Sequence, residues 1–154
     1  MATDDAQHDS VLKTMAFTRV GDLLVLCHSS ASPSDQEWNS WLERTRGNQH
    51  RGMLALTEGG SPNSAQRARV AEIVLTQEQP PPFVLLTDST VMRSVMTAFL
   101  WLIGSKQPMK ALAPSALDEA LTWMGVTVSP DRVHAAIARL QLALKVSATT
   151  KSRR

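Results

Sequence analysis

Apolar residues recur along the chain in two rhythms. The continuous runs Leu23-Leu24-Val25-Leu26-Cys27, Met53-Leu54-Ala55-Leu56 and Phe83-Val84-Leu85-Leu86 have the pattern of strands buried on both faces, as in a parallel sheet. Met15-Ala16-Phe17-Thr18-Arg19-Val20 instead alternates, and Gly21-Asp22 joins it to the first run. A two-residue loop opening on Gly matches the twist of a hairpin, so the two segments pair, with the alternating strand at the sheet edge. A shorter strand is expected over Met109-Lys110-Ala111-Leu112.

Between these runs the apolar residues fall three and four apart, and local signals bound each helix. Ser34-Asp35-Gln36-Glu37 is a capping box, and Trp38, Trp41 and Leu42 share the face that follows it. Glu58-Gly59-Gly60-Ser61-Pro62 joins the second run to a helix ending near Val74, with Ser61 expected at the N-cap and Pro62 in the first turn. Thr87-Asp88-Ser89-Thr90 leads into a helix over Val91 to Ile103, closed by Gly104. Another helix runs from Ala116 to Met124 and stops at Gly125. Ser129-Pro130-Asp131 caps a last helix striped by Val133, Ile137, Leu140 and Leu144. Strands alternating with helices predict an α/β fold: a mostly parallel sheet of four to five strands, opened by an N-terminal β-hairpin, with helices packed on it and an extra C-terminal helix.

The 154 residues, 43% of them hydrophobic, suit one domain with a sizeable core. The expected division is a disordered leader over 1–12, an α/β domain over 13–126, a C-terminal helix over 127–146 packing on it, and a basic tail over 147–154. A formal net charge of +2, with several of the basic residues in the tail and no tyrosine, argues against a nucleic-acid partner. Cys27 is the single cysteine, which excludes an internal disulfide and a cysteine zinc cage. The acidic opening residues lack the pattern of a secretory signal, and the most apolar segment, 91–103, is shorter than the about 20 residues that cross a bilayer. The expected setting is cytoplasmic, without membrane insertion.

Candidate chemistry is sparse. Thr57, Glu58, Gly59 and Gly60 close one strand, while Asp88 and Ser89 close the next, with Arg93 one turn into the following helix. Neighbouring strands would bring them to the sheet edge where open α/β sheets bind ligands; helix capping explains most of them equally. Cys27 and His28 are strand neighbours that point to opposite faces and cannot activate one another. His8, His28, His50 and His134 have no metal-ligand spacing, and Gly59-Gly60 alone is no nucleotide loop, so no metal or cofactor is expected. With no paired nucleophile, the chain is not expected to be an enzyme. The segment 91–103 carries more apolar residues than one packed face needs. Met92, Met96, Phe99 and Trp101 are the candidate interface for a protein partner or homodimer, unless the last helix covers them.

The element order is similar to that of the STAS domain, the anti-sigma-factor-antagonist fold, and closer to its divergent branch grouped with CRAL–TRIO-like lipid-binding proteins. Gln36-Glu37-Trp38, Glu58-Gly59-Gly60-Ser61-Pro62 and Leu117-Asp118-Glu119-Ala120-Leu121-Thr122-Trp123-Met124-Gly125 carry the resemblance, which spans Met15 to Val126. It implies a non-enzymatic regulatory or protein-interaction module switched by serine phosphorylation at a helix N-terminus. Ser61, or Ser64 one turn in, is the matching position, although the family's usual Asp-Ser-Ser-Gly is absent. The alternative is a carrier or sensor of a small apolar or lipid-like ligand, which requires a cavity under the helix over 91–103.

Overall fold

Hydrogen bonding assembles the strands into one six-stranded sheet whose spatial order is its chain order. The computed structural model describes residues 8–47, 50–104 and 106–152. Strands β1 (Ser10–Val11), β2 (Met15–Val20) and β3 (Leu23–His28) pair antiparallel; β4 (Gly52–Thr57), β5 (Phe83–Leu86) and β6 (Met109–Leu112) continue from β3 in parallel. The fold class is the expected one, with β1 as an additional strand. Ser10 and Val11, expected in a disordered leader, pair with Phe17 and Ala16. Residues 1–7 of that leader lie outside the described residues. Because β1 takes the edge, β2 is an inner strand, and most of its residues are buried on both faces. At the hairpin Gly21 has φ +58° while Asp22 stays at negative φ, the geometry of a type II′ turn.

The helices are α1 (Asp35–Gly47), α2 (Ser64–Thr76), α3 (Thr90–Ile103), α4 (Leu117–Met124) and α5 (Pro130–Ser152). From β3 to β6 each new strand is added on the same side of the last, through α1, α2 and α3 in turn. Right-handed crossovers that always advance in one direction leave their helices on one face of the sheet. Accordingly α1, α2 and α3 pack with Leu26, Ala55 and Leu85 on that face. The opposite face, with Val25, Cys27, Leu54 and Val84, is left for α4 and α5, whose Leu121, Val133, Ala136 and Leu140 cover it. The last helix therefore does not cover α3. It also continues to Ser152, so the segment expected as a basic tail is helical wherever it is described.

Long-range polar contacts fix the layers. Glu37 accepts from the Thr14 N–H at 2.7 Å and from the Thr14 hydroxyl, while also closing the Ser34 capping box. Burial opposes its charge, but these donors outweigh burial and hold the carboxyl below its usual range. Asp22 is held low in the same way: burial is exceeded by the Thr127 N–H and hydroxyl, which tie the hairpin to the link between α4 and α5. Asp9 accepts two hydrogen bonds from Arg139, at 2.6 and 2.9 Å, joining the start of the chain to α5.

Candidate functional site

The expected polar site at the strand ends is assembled in part. Leu56 pairs with Leu86, so Thr57-Glu58 and Thr87-Asp88 leave the sheet side by side. The two threonine hydroxyls are occupied with backbone. The Thr57 hydroxyl donates to the Gly60 carbonyl and accepts from the Gly59 N–H. The Gly60 N–H donates to the Ser29 carbonyl at 2.8 Å, and a Cβ on Gly60 would stand 2.2 Å from the Ala31 carbonyl oxygen. That loop is glycine because two backbones meet there. Ser89 is the N-cap of α3, accepting from the Met92 N–H, and Glu58, Asp88 and Arg93 face solvent. A ligand crevice at strand ends forms where the strand order reverses and the helices on either side diverge. This sheet has no reversal among the described residues, and the strand ends carry helix caps.

The serine expectations also shift. The N-cap of α2 is Asn63, not Ser61: its side chain accepts from the Gln66 N–H at 2.8 Å and Gln66 Oε1 accepts from the Asn63 N–H at 2.9 Å. The reciprocal Asn-x-x-Gln box provides two hydrogen bonds where Ser61 offered one, and Pro62 falls ahead of the helix. Ser61 is half-buried; Ser64, the first residue of α2, is exposed.

The α3 interface is rotated from its expected orientation. Met92, Met96 and Phe99 are buried, and of the four residues expected at an interface only Trp101 is exposed, at 83%. The outward face carries Val91, Ala98 and Leu102 beside Trp101. Leu85 of β5 and Ala71 and Val74 of α2 supply the apolar partners for the Met92, Met96, Phe99 and Ile103 stripe, which is why that stripe turns inward.

Beneath α3 lies a cavity of about 130 Å³. Its floor is the sheet, where Leu26, Ala55 and Leu85 are cross-strand partners, so the small Ala55 stands between two leucines. Trp38 and Trp41 of α1, Val70 and Ile73 of α2, and Met92 and Met96 of α3 form its walls. These walls are mostly apolar and, in methionine, adaptable. Neither Glu58 nor Asp88 borders it.

His28 does border it, at the end of β3. Its ring is 6% exposed and stacks on Trp38 with centroids 6.2 Å apart. Burial pushes its pKa down to about 4 against the pull of Glu37, so the imidazole is neutral at pH 7. Gln66 is 2% exposed and stitches α2 to the chain before α1: its amide donates to the Pro33 carbonyl at 3.0 Å, while the Trp38 indole donates to the Gln66 carbonyl at 3.0 Å. Cys27, on the opposite face from His28, is buried under α4 and α5. Burial, with the negative charge of Glu58 adding to it, pushes the thiol up to about 12, so it is not a nucleophile.

Sequence reasoning missed Glu37, Gln66 and the role of His28. Glu37 reads locally as a capping-box residue and Gln66 carries no signal once Ser61 is taken as the cap; only their partners reveal the rest. Among the described residues no group of three or more His, Cys, Asp or Glu could hold a metal ion, and no helix is long and apolar enough to cross a membrane. Scans of family models, curated proteins and solved structures give no match to this chain.

Proposed function

We propose that this chain is a non-enzymatic carrier or sensor of a small apolar molecule held between the sheet and α1, α2 and α3. The observation that carries this reading is the cavity of about 130 Å³ with mostly apolar walls. An apolar cavity of about 150 Å³ stays dry and takes benzene, so a guest of one ring or a short aliphatic group fits this space. The lone thiol, buried and unreactive, suits a cytoplasmic setting.

Toluene is the probe, followed by calorimetry and by chemical shifts of the Met92 and Met96 methyl groups. Saturable binding is expected in the wild type. Ala55→Ile, which puts three more carbons into the cavity from the middle of its floor, should weaken binding at least tenfold while leaving the fold intact. Absence of saturable binding, or toluene binding unchanged by Ala55→Ile, would sink the reading.

A second reading, a regulatory protein-interaction module, is favoured by the outward face of α3. A tryptophan exposed at 83% next to Leu102 is unusual for a surface with no partner. The resemblance to STAS domains points the same way, with Ser64 the serine accessible to a kinase. Sedimentation of the wild type and of Trp101→Lys tests for a second copy as the partner. Self-association lost in the variant supports it, and a wild type monomeric at all accessible concentrations removes that occupant.

A further inference from the structure

The side of α5 turned away from the sheet has a pattern of its own. Val133, Ala136, Ile137, Leu140 and Leu144 are buried on the sheet side. On the other side Asp131, Ala135, Ala138, Leu142, Lys145 and Thr149 are all exposed, and they follow one another at alternating spacings of four and three residues. Positions that recur every 3.5 residues on average, as here, form the seam along which two helices pair. Leu142 in this seam is 64% exposed, and Val146, one turn further on, is exposed as well. Two large apolar side chains turned to solvent, on a helix whose other face already packs on the sheet, mark a surface that needs a second cover.

We propose that this face of α5 pairs with the same face of a second copy of the chain, the two helices running antiparallel about a two-fold axis that passes between Ala138 and Leu142. The chemistry of the seam selects both the occupant and the direction. Ala135 and Ala138 leave room for the backbone of another helix to approach closely. In this register Leu142 of each copy lies over Ala138 of the other, large against small, which is the self-complementarity a two-fold axis requires. A parallel pair would set Asp131 against Asp131 and Lys145 against Lys145, and like charges juxtaposed are unfavourable. The antiparallel pair instead places Lys145 opposite Ala135 of the second copy, one turn from its Asp131. It also sets the positive end of each helix dipole beside the negative end of the other. The α5 face lies on the opposite side of the sheet from the cavity and from α3, so the pairing depends neither on a ligand nor on Trp101.

The test is sedimentation equilibrium of the full chain at concentrations up to about 1 mM, because a single helix pair is an interface at the small end of the specific range. The wild type should dimerise. Leu142→Glu, at an exposed site, should weaken dimerisation by about tenfold or more while leaving the circular dichroism spectrum unchanged, and Trp101→Lys should leave dimerisation unaltered. A wild type that stays monomeric overturns the proposal, and so does a dimer that survives Leu142→Glu; its loss in Trp101→Lys would then assign it to α3. Direction is read separately, by the distance between spin labels on Thr149→Cys, the native Cys27 being buried. Labels about 27 Å apart along the helix axes are expected for the antiparallel pair, and about 10 Å for a parallel one. The shorter distance overturns the antiparallel register. Should Leu142→Glu fail to fold, the label distance in the otherwise wild-type chain still decides.

Discussion

At the scale of single residues, His28 couples the stability of the fold to pH. An ordinary histidine titrates near 6.5, and burial lowers this one to about 4. The folded state thus disfavours the proton that the unfolded chain accepts, so the stability due to the neutral ring is complete above about pH 6.5 and is lost as pH falls toward 4. The difference corresponds to about 3 kcal/mol by the acid end of that window. Urea unfolding of wild type and His28→Phe between these pH values should show the wild type losing more stability on acidification, and parallel curves would contradict the assignment. The carboxylates act lower on the scale. Glu37 and Asp22, both held below their ordinary values of 4.5 and 3.8, contribute stability that is present above those values and lost only as pH falls further.

At the scale of elements, the α2 start separates two kinds of serine and asparagine. If Asn63 is the cap, Asn63→Ala should cost about 1 kcal/mol in urea unfolding, whereas Ser61→Ala, two residues earlier, should cost a few tenths at most. The reverse order would restore Ser61 as the cap. This helix start also shows where local reading stops. Ser61-Pro62 and Asn63-x-x-Gln66 are both legitimate start signals in the sequence. The choice between them depends on Gln66, whose amide also reaches Pro33 and Asp35 some thirty residues away. Signals confined to a few residues were read well: the Gly21-Asp22 hairpin, the Ser34 capping box, the strand Met109–Leu112 and the left-handed Gly125 stop all stand where the pattern puts them. The orientation of α3 was not legible, because Val91, Val95, Phe99 and Leu102 and Met92, Met96, Leu100 and Ile103 are both good apolar stripes and only the tertiary partners decide which residues turn inward. The cavity was not legible either. An alanine between two leucines on adjacent strands is a property of register, which sequence periodicity leaves open.

At the scale of the whole molecule, the two faces of the sheet are unequal. The face under α4 and α5 forms one continuous cluster from Ala16 to Leu144, while the face under α1, α2 and α3 is divided into two clusters and contains the cavity. Missing contacts around a void lower the local free energy of opening, because its lining forfeits dispersion partners that a filled core would supply. The element that roofs the cavity is α3. It packs on α2 and β6, ends at Gly104 with φ +64° and no neighbouring atom within 4 Å of a built Cβ, and presents Trp101 and Leu102 to solvent. Native-state hydrogen exchange should therefore find amides of 94–103 opening at a lower free energy than those of β3 and of 134–144. A guest expelled on opening should raise the α3 value by RT ln(1 + [L]/Kd). If α3 instead exchanges with β3 at the global limit, the roof does not open separately from the rest of the fold. The same element thus sets the access to the cavity and carries the exposed tryptophan. Under the proposed carrier or sensor reading, occupancy of the interior and engagement of the outer face would be linked through this one helix.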